Sequence, residues 1–354
     1  MAAPNPNNLI LLDGGIGHEL KRHGISDGTF LAGALANEDT NGDGAGVVES
    51  IHYDFLSAGC DVITTNSFVA VPSRMIECGL ASNEAGANAR AAELIAASVD
   101  RAKAAIAKYS GDESTPKRIA GCVPPLSECY FADKVPQSSE LVPGYITILS
   151  TLIDCGVDLL LAETLSTLRE ADAILKALSC IQRQDNNRQS PPLWISFTIH
   201  DDEPTQLRSR ELLIDTCQSI LNQAKLMNVY VEAMGVNCST PPAITAALDM
   251  IKEEFDRFGV KLICYGNCFQ TTTSEWIQSL NNEKEQDSSV ETTKQSCIKE
   301  YDADGYLLPE AYARYAEAWV EKGAAIIGGC CGCSPAHVKA VTSTLRYSEF
   351  TNNK

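Results

Sequence analysis

Eight short apolar runs punctuate the chain, at residues 9–13, 61–66, 118–122, 158–163, 193–199, 234–238, 261–267 and 324–330. They are continuously apolar rather than alternating, the pattern of parallel strands covered on both faces. Helical periodicity fills the intervals, most clearly over 85–109, 168–183, 241–258, 309–322 and 335–346. Pro241, Pro309 and Pro335 open three of these stretches, where a missing N–H costs nothing and the ring already sets the helical φ. Strand followed by helix, eight times over, predicts an α/β fold of the (β/α)8 barrel type. An open doubly wound sheet shares the local pattern and is the alternative. The 354 residues suit one barrel domain spanning 1–354. Polar loops at 108–117 and 182–192 lead into strands and belong at the N-terminal face. The acidic, polar segment 281–304 follows the seventh run instead, so it projects from the C-terminal face as a solvated insertion or a lid.

Charge narrows the function classes. With 46 Asp and Glu against 28 Lys and Arg the net charge is −18, which repels phosphate and so argues against nucleic acid or an anionic membrane as partner. No run approaches the roughly 18 apolar residues of a membrane span, and residues 1–12 lack the basic start and apolar core of a signal peptide. These features lead us to expect a cytoplasmic protein with reduced thiols. Most of its 14 cysteines then read as small buried hydrophobes, Cys60, Cys155, Cys180 and Cys264 among them.

The remaining cysteines cluster. Run eight ends in Gly328-Gly329-Cys330-Cys331-Gly332-Cys333 and run six in Gly235-Val236-Asn237-Cys238-Ser239. In a barrel both turns lie at the C-terminal rim, one strand apart, where three thiolates can converge on one metal. Thiolates select zinc over magnesium or calcium, and three protein ligands leave the fourth tetrahedral position open. A closed four-cysteine site that adds Cys333 is the structural alternative, although Cys331-Gly332-Cys333 does not fit the Cys-x2-Cys spacing usual in a structural knuckle. A Cys330–Cys331 disulfide is another, disfavoured by its strained eight-membered ring.

The Gly328–Gly332 run, with Trp319 before it and Pro335-Ala336-His337 after it, resembles the C-terminal signature of the zinc-dependent homocysteine S-methyltransferases. Gly235–Cys238 is similar to that family's first ligand motif, and Leu12-Asp13-Gly14-Gly15 to its N-terminal substrate motif. Asp61–Phe68 and Asp158–Leu165 resemble its second and fourth strands, so the likeness runs from about residue 9 to 346. The resemblance implies that Cys238, Cys330 and Cys331 hold one zinc ion per chain, with homocysteine sulfur as fourth ligand. It also implies that Glu163 takes the substrate ammonium and that Asp13, Gly14 and Gly15 line the amino-acid pocket. Read on their own, Glu163 could be a solvated carboxylate or a helix-cap ion pair, and Asp13 a cap in a tight turn. None of the five histidines, His18, His23, His52, His200 and His337, is needed as acid or base; all read as packing or surface residues.

Two departures stand out. Cys122-Val123-Pro124-Pro125-Leu126-Ser127-Glu128-Cys129-Tyr130 replaces the Gly-Pro-Tyr-Gly type loop common in sulfonium-using relatives, which leaves the donor open. Cys333 stands where the family often has Thr, behind the ligands or as a bystander. The chain length leaves no room for cobalamin and folate domains, and the segment after the last cysteine is shorter than the arm of betaine-using relatives. A sulfonium donor is therefore expected, S-methylmethionine first and S-adenosylmethionine second, with no glycine-rich dinucleotide loop to hold the latter. Small-molecule substrates are the expected partners, and the oligomeric state stays open. The competing readings are another thiol or selenol acceptor such as selenocysteine, betaine as donor, or a non-catalytic zinc- or thiol-sensing barrel.

Overall fold

A computed structural model describes residues 9–25, 31–39, 41–111, 115–184, 190–275 and 300–347. Its strands are β1 (Ile10–Leu11), β2 (Val62–Thr64), β3 (Arg118–Val123), β4 (Leu159–Leu165), β5 (Leu193–Phe197), β6 (Val231–Asn237), β7 (Lys261–Gly266) and β8 (Ile326–Gly329). All pair in parallel in the order β1-β8-β7-β6-β5-β4-β3-β2. A bridge between Leu12 and Val62 joins the two ends, supported by Asp61 N donating to Leu11 O at 2.7 Å. Sequential neighbours and near-closure make this a single-domain (β/α)8 barrel and exclude the doubly wound sheet.

The described helices are α1 (Ile16–Arg22), α2 (Leu31–Leu35), α3 (Gly44–Ala58), α4 (Pro72–Glu77), α5 (Glu84–Lys108), α6 (Ser138–Asp154), α7 (Leu168–Gln184), α8 (Leu213–Met227), α9 (Pro241–Phe258), α10 (Pro309–Glu321) and α11 (Pro335–Tyr347). Pro241, Pro309 and Pro335 do open their helices, as the sequence pattern predicts. The start of α7 matters most to the site. Glu170 accepts from the backbone N–H of Ser166 and Thr167 at 2.9 and 3.0 Å, while Thr167 Oγ1 accepts from Glu170 N at 3.2 Å. This reciprocal cap fixes the turn that follows β4.

Two apolar layers hold the fold together. Strand side chains alternate between the barrel axis and the surrounding helices. Leu12, just past β1, joins Val62, Ala120, Leu159, Leu161, Trp194, Ala233, Ile263, Tyr265 and Ile326, one or two from each of the other strands, in filling the axis. The larger cluster packs between barrel and helices. Among the described residues no helix is long and apolar enough to cross a membrane. Of the polar segment expected at 281–304, residues 281–299 lie outside those described.

Candidate metal centre and substrate site

Register decides which side chains reach the mouth of the barrel. Counting in twos from the axial residues Val62, Ala120, Leu161, Ala233, Ile263 and Ile326 brings Thr64, Cys122, Glu163, Asn237, Tyr265 and Cys330 to the inner face at the C-terminal end. Cys238 follows directly, with its N–H on Tyr265 O at 3.0 Å and a left-handed φ of 48°. Cys330 N donates to Gly266 O at 2.9 Å, so the last turn hangs from the end of β7.

The sulfurs of Cys238, Cys330 and Cys331 lie within 4.8 Å of one another, and those of Cys238 and Cys331 are 3.7 Å apart. Tetrahedral bonds of about 2.3 Å to zinc would separate two sulfurs by about 3.8 Å, so the set fits that ion. Without a metal the three thiols share protons unequally. Hydrogen bonds from Cys330 and Cys331 hold the Cys238 thiol well below its ordinary range, and the same contacts push the other two up. The Tyr130 hydroxyl, 2.8 Å from Cys238 Sγ, and the positive charge of Arg208 add to the effect on Cys238. Arg208 is buried, paired with Asp201 at 3.2 Å, and donates to Thr198 Oγ1 at 3.3 Å. Thr198 Oγ1 in turn donates to Cys238 O at 3.3 Å.

Two carboxylates share the mouth. Glu163 is neither a solvated carboxylate nor a helix-cap ion pair. It is buried, and accepts from the Cys122 thiol at 3.1 Å and the Tyr265 hydroxyl at 3.2 Å. Asp13 does not cap α1; it accepts from Thr64 N at 2.7 Å and Thr64 Oγ1 at 2.9 Å. Burial raises Asp13 to about 8 and Glu163 to about 7, and Glu163 adds a like-charge push to Asp13. Among the described residues neither carboxylate has a cationic partner.

Gly14 and Gly15 lie beneath the cysteine turn. A Cβ on Gly14 would come within 2.5 Å of Cys333 O, and one on Gly15 within 2.6 Å of Cys330 O. Gly15 N already donates to Cys333 O at 2.9 Å, so this amide is committed to the turn. Sequence reasoning also missed two supports. Asn237 accepts from Thr164 N and donates to Thr164 Oγ1, both at 2.9 Å, and so pins a residue with φ of 60° next to Glu163. Tyr130, with φ of 74°, arrives from the irregular loop after β3. Asn237 stood inside a quoted motif and Tyr130 at the end of the divergent 122–130 loop, but neither pattern signals the hydrogen bonds these side chains make.

The expectation that all thiols are reduced fails at one pair. Cys333 is bonded to Cys268, with Cα atoms 5.6 Å apart. That bond rules out Cys333 as a fourth ligand here, and Cys330 and Cys331 are both free of disulfide. Cys60 and Cys264 are buried as expected, while Cys155 and Cys180 are half-buried. Histidine behaves as packing: His337 lies 2.7 Å from Leu307 O, His18 packs on Phe269 with centroids 5.2 Å apart, and His52 is buried on α3.

The homocysteine S-methyltransferase family model matches residues 10–345. The chain belongs to the homocysteine S-methyltransferase family. With membership comes the enzyme class, a methyltransferase. Homocysteine S-methyltransferase 4 of Zea mays is 25% identical over 96% of this chain and 90% of its own length. Homocysteine S-methyltransferase YbgG of Bacillus subtilis is 26% identical over 97% of this chain and 96% of its own. The barrel is also similar to the metallated form of homocysteine methyltransferase MmuM from Escherichia coli, with a TM-score of 0.70, 24% identity, and coverage of 96% of this chain and 99% of that one. The family thus includes a metal-binding member, and this chain carries a three-cysteine group at its barrel mouth.

Proposed function

We propose that this enzyme moves a methyl group from a sulfonium donor, S-methylmethionine first and S-adenosylmethionine second, to the sulfur of homocysteine, giving methionine. Cys238, Cys330 and Cys331 would hold one zinc ion per chain. The observation that carries this reading is the juxtaposition at the barrel mouth: three sulfurs within 4.8 Å beside two buried carboxylates that have no cationic partner among the described residues. Zinc in such a set keeps an acceptor thiol deprotonated near neutral pH, which removes the need for a histidine base.

The chain's own groups then bind and align. Glu163 and Asp13 receive the homocysteine ammonium, with Tyr265, Cys122 and Thr64 holding the two carboxylates in place. Gly14 and Gly15 bring the β1 end against the cysteine turn, so carboxylates and sulfurs keep a fixed relation. The acceptor thiol loses its proton to solvent before transfer. Its sulfur attacks the methyl carbon in line; a sulfur–carbon bond forms as the donor's carbon–sulfur bond breaks. The bonding pair stays on the donor sulfur, which becomes a neutral thioether. Alignment of two sulfurs and one carbon supplies most of the acceleration. A cytoplasmic setting agrees with the acidic charge and with the free thiols of the cluster.

The test is methionine formation from homocysteine by zinc-loaded enzyme, with S-methylmethionine, S-adenosylmethionine and betaine offered separately. Turnover with a sulfonium donor, abolished by chelation and restored by zinc, is expected. Turnover with betaine alone, or turnover indifferent to chelation, would overturn the proposal.

A further inference from the structure

Beside the sulfur cluster lies a cavity of about 490 Å³ formed by three loops of the C-terminal rim. Tyr130, Phe131 and Asp133 come from the loop after β3, Arg169 from the start of α7, and Arg208 and Glu211 from the loop after β5. Tyr130 is the shared wall. It lines the cavity, and its hydroxyl is 2.8 Å from Cys238 Sγ. A ligand here would have one end next to the three-cysteine cluster.

The two arginines differ in what they have left to bind. Arg208 is fully engaged: both terminal nitrogens donate to Asp201 at 3.2 Å and its Nε to Thr198. It braces Tyr130, its guanidinium carbon 5.7 Å from the ring centre. Arg169 is half-buried and held by one nitrogen, which donates to Val135 O at 3.0 Å and Pro136 O at 3.3 Å. Among the described residues no carboxylate pairs with it. A guanidinium fixed at one edge, with its remaining donors unpaired, is prepared for a carboxylate. Asp133 also lines the cavity and supplies a carboxylate for a cation, while the Tyr130 and Phe131 rings already carry the cations of Arg208 and Lys134, 5.7 and 4.4 Å from their centres.

We propose that this cavity binds the methyl donor, and that Arg169 takes the donor's carboxylate and so selects sulfonium compounds with an amino-acid end. The proposal rests on the sulfonium reading above and adds where the donor sits and what recognises it. S-methylmethionine carries its carboxylate four bonds from the sulfonium and S-adenosylmethionine carries the same end, so both are candidates. The homocysteine ammonium is directed to Glu163 and Asp13 inside the barrel, which leaves the rim cavity to the second substrate.

Arg169→Gln and Arg169→Lys test the assignment against three donors: S-methylmethionine, S-adenosylmethionine and trimethylsulfonium, which has no carboxylate. In R169Q the KM for S-methylmethionine is expected to rise tenfold or more, while kcat and the homocysteine KM stay within twofold. Use of trimethylsulfonium should be unchanged within twofold, and R169K should recover part of the loss. A tenfold KM rise for S-adenosylmethionine as well would assign both donors to the cavity; a rise for S-methylmethionine alone would assign only that one. Calorimetric titration of S-methylmethionine onto zinc-loaded wild-type and R169Q protein gives a readout without turnover, and the Kd should weaken by the same factor. Equal loss with trimethylsulfonium, a rise in the homocysteine KM, or no change would overturn the proposal. Turnover of S-methylmethionine indifferent to R169Q would sink this site and keep the reaction. Binding through Arg169 with no methionine formed would do the reverse.

Discussion

Glu163 sits among a thiol, a phenol and, further off, the carboxylate of Asp13, with burial as the largest influence on its proton affinity. A carboxyl held at about 7 is largely protonated below that pH and ionised above it. Binding an ammonium requires the ionised forms, so the KM for homocysteine should climb as pH falls through about 8, where Asp13 takes up a proton, and again below about 7, where Glu163 does. Glu163→Gln keeps the shape and removes the charge. Losing a buried charge-assisted contact of roughly 1.5–3 kcal/mol predicts a KM about 10- to 100-fold higher, with the step below about pH 7 gone and only the Asp13 step left. Zinc content should be unchanged, since Glu163 is not among the three sulfurs. Steady-state kinetics across pH 6–9 with parallel metal analysis checks both points, and a variant that loses zinc would contradict the role assigned to Glu163.

The strand ends turn this chemistry into geometry. Eight apolar runs were readable because parallel strands buried on both faces have little polar interruption, and Pro241, Pro309 and Pro335 marked helix starts. Once the runs are placed in a barrel, the inward alternation brings Glu163 and Cys330 to the mouth, so much of the site was legible too. The short helices α2 and α4 were not, because five or six residues carry too little periodicity to read. The Tyr130 contact with Cys238 escaped for a different reason: the divergent 122–130 loop was visible, but an irregular loop with a left-handed residue has no pattern that places its side chain. The Asn237–Thr164 pair shows how an element boundary supports the site, bridging β6 to a bulge in β4. Asn237→Ala removes both hydrogen bonds and leaves Thr164 unsupported at φ 60°. A loss of about 2–3 kcal/mol follows from two buried bonds, with a larger loss in kcat/KM as Glu163 moves. Urea denaturation paired with kinetics measures the two separately; an active, wild-type-like variant would show that β4 holds its bulge without Asn237.

Over the whole molecule, one covalent link ties the end of β7 to the cysteine turn after β8. Cys268 and Cys333 are 65 residues apart in sequence, and no local spacing rule reveals a contact made only when two distant loops meet. Closing a loop of that size restricts the unfolded chain by about 4 kcal/mol in the chain-entropy model. Reductant should therefore lower the stability of the wild-type protein by up to about that amount and leave Cys333→Ser unaffected. Urea midpoints with and without dithiothreitol, read with zinc bound, provide the comparison. Equal sensitivity of the two proteins to reductant would show that the effect comes from elsewhere.

The most direct test of the chemistry is X-ray absorption at the zinc edge, before and after homocysteine is added. The enzyme is predicted to hold one zinc ion with three sulfur neighbours from Cys238, Cys330 and Cys331, rising to four sulfurs when homocysteine binds, and to lose the metal in Cys330→Ala. Four sulfurs without homocysteine, or a sulfur count that homocysteine leaves unchanged, would contradict the open three-cysteine centre on which the proposed reaction depends.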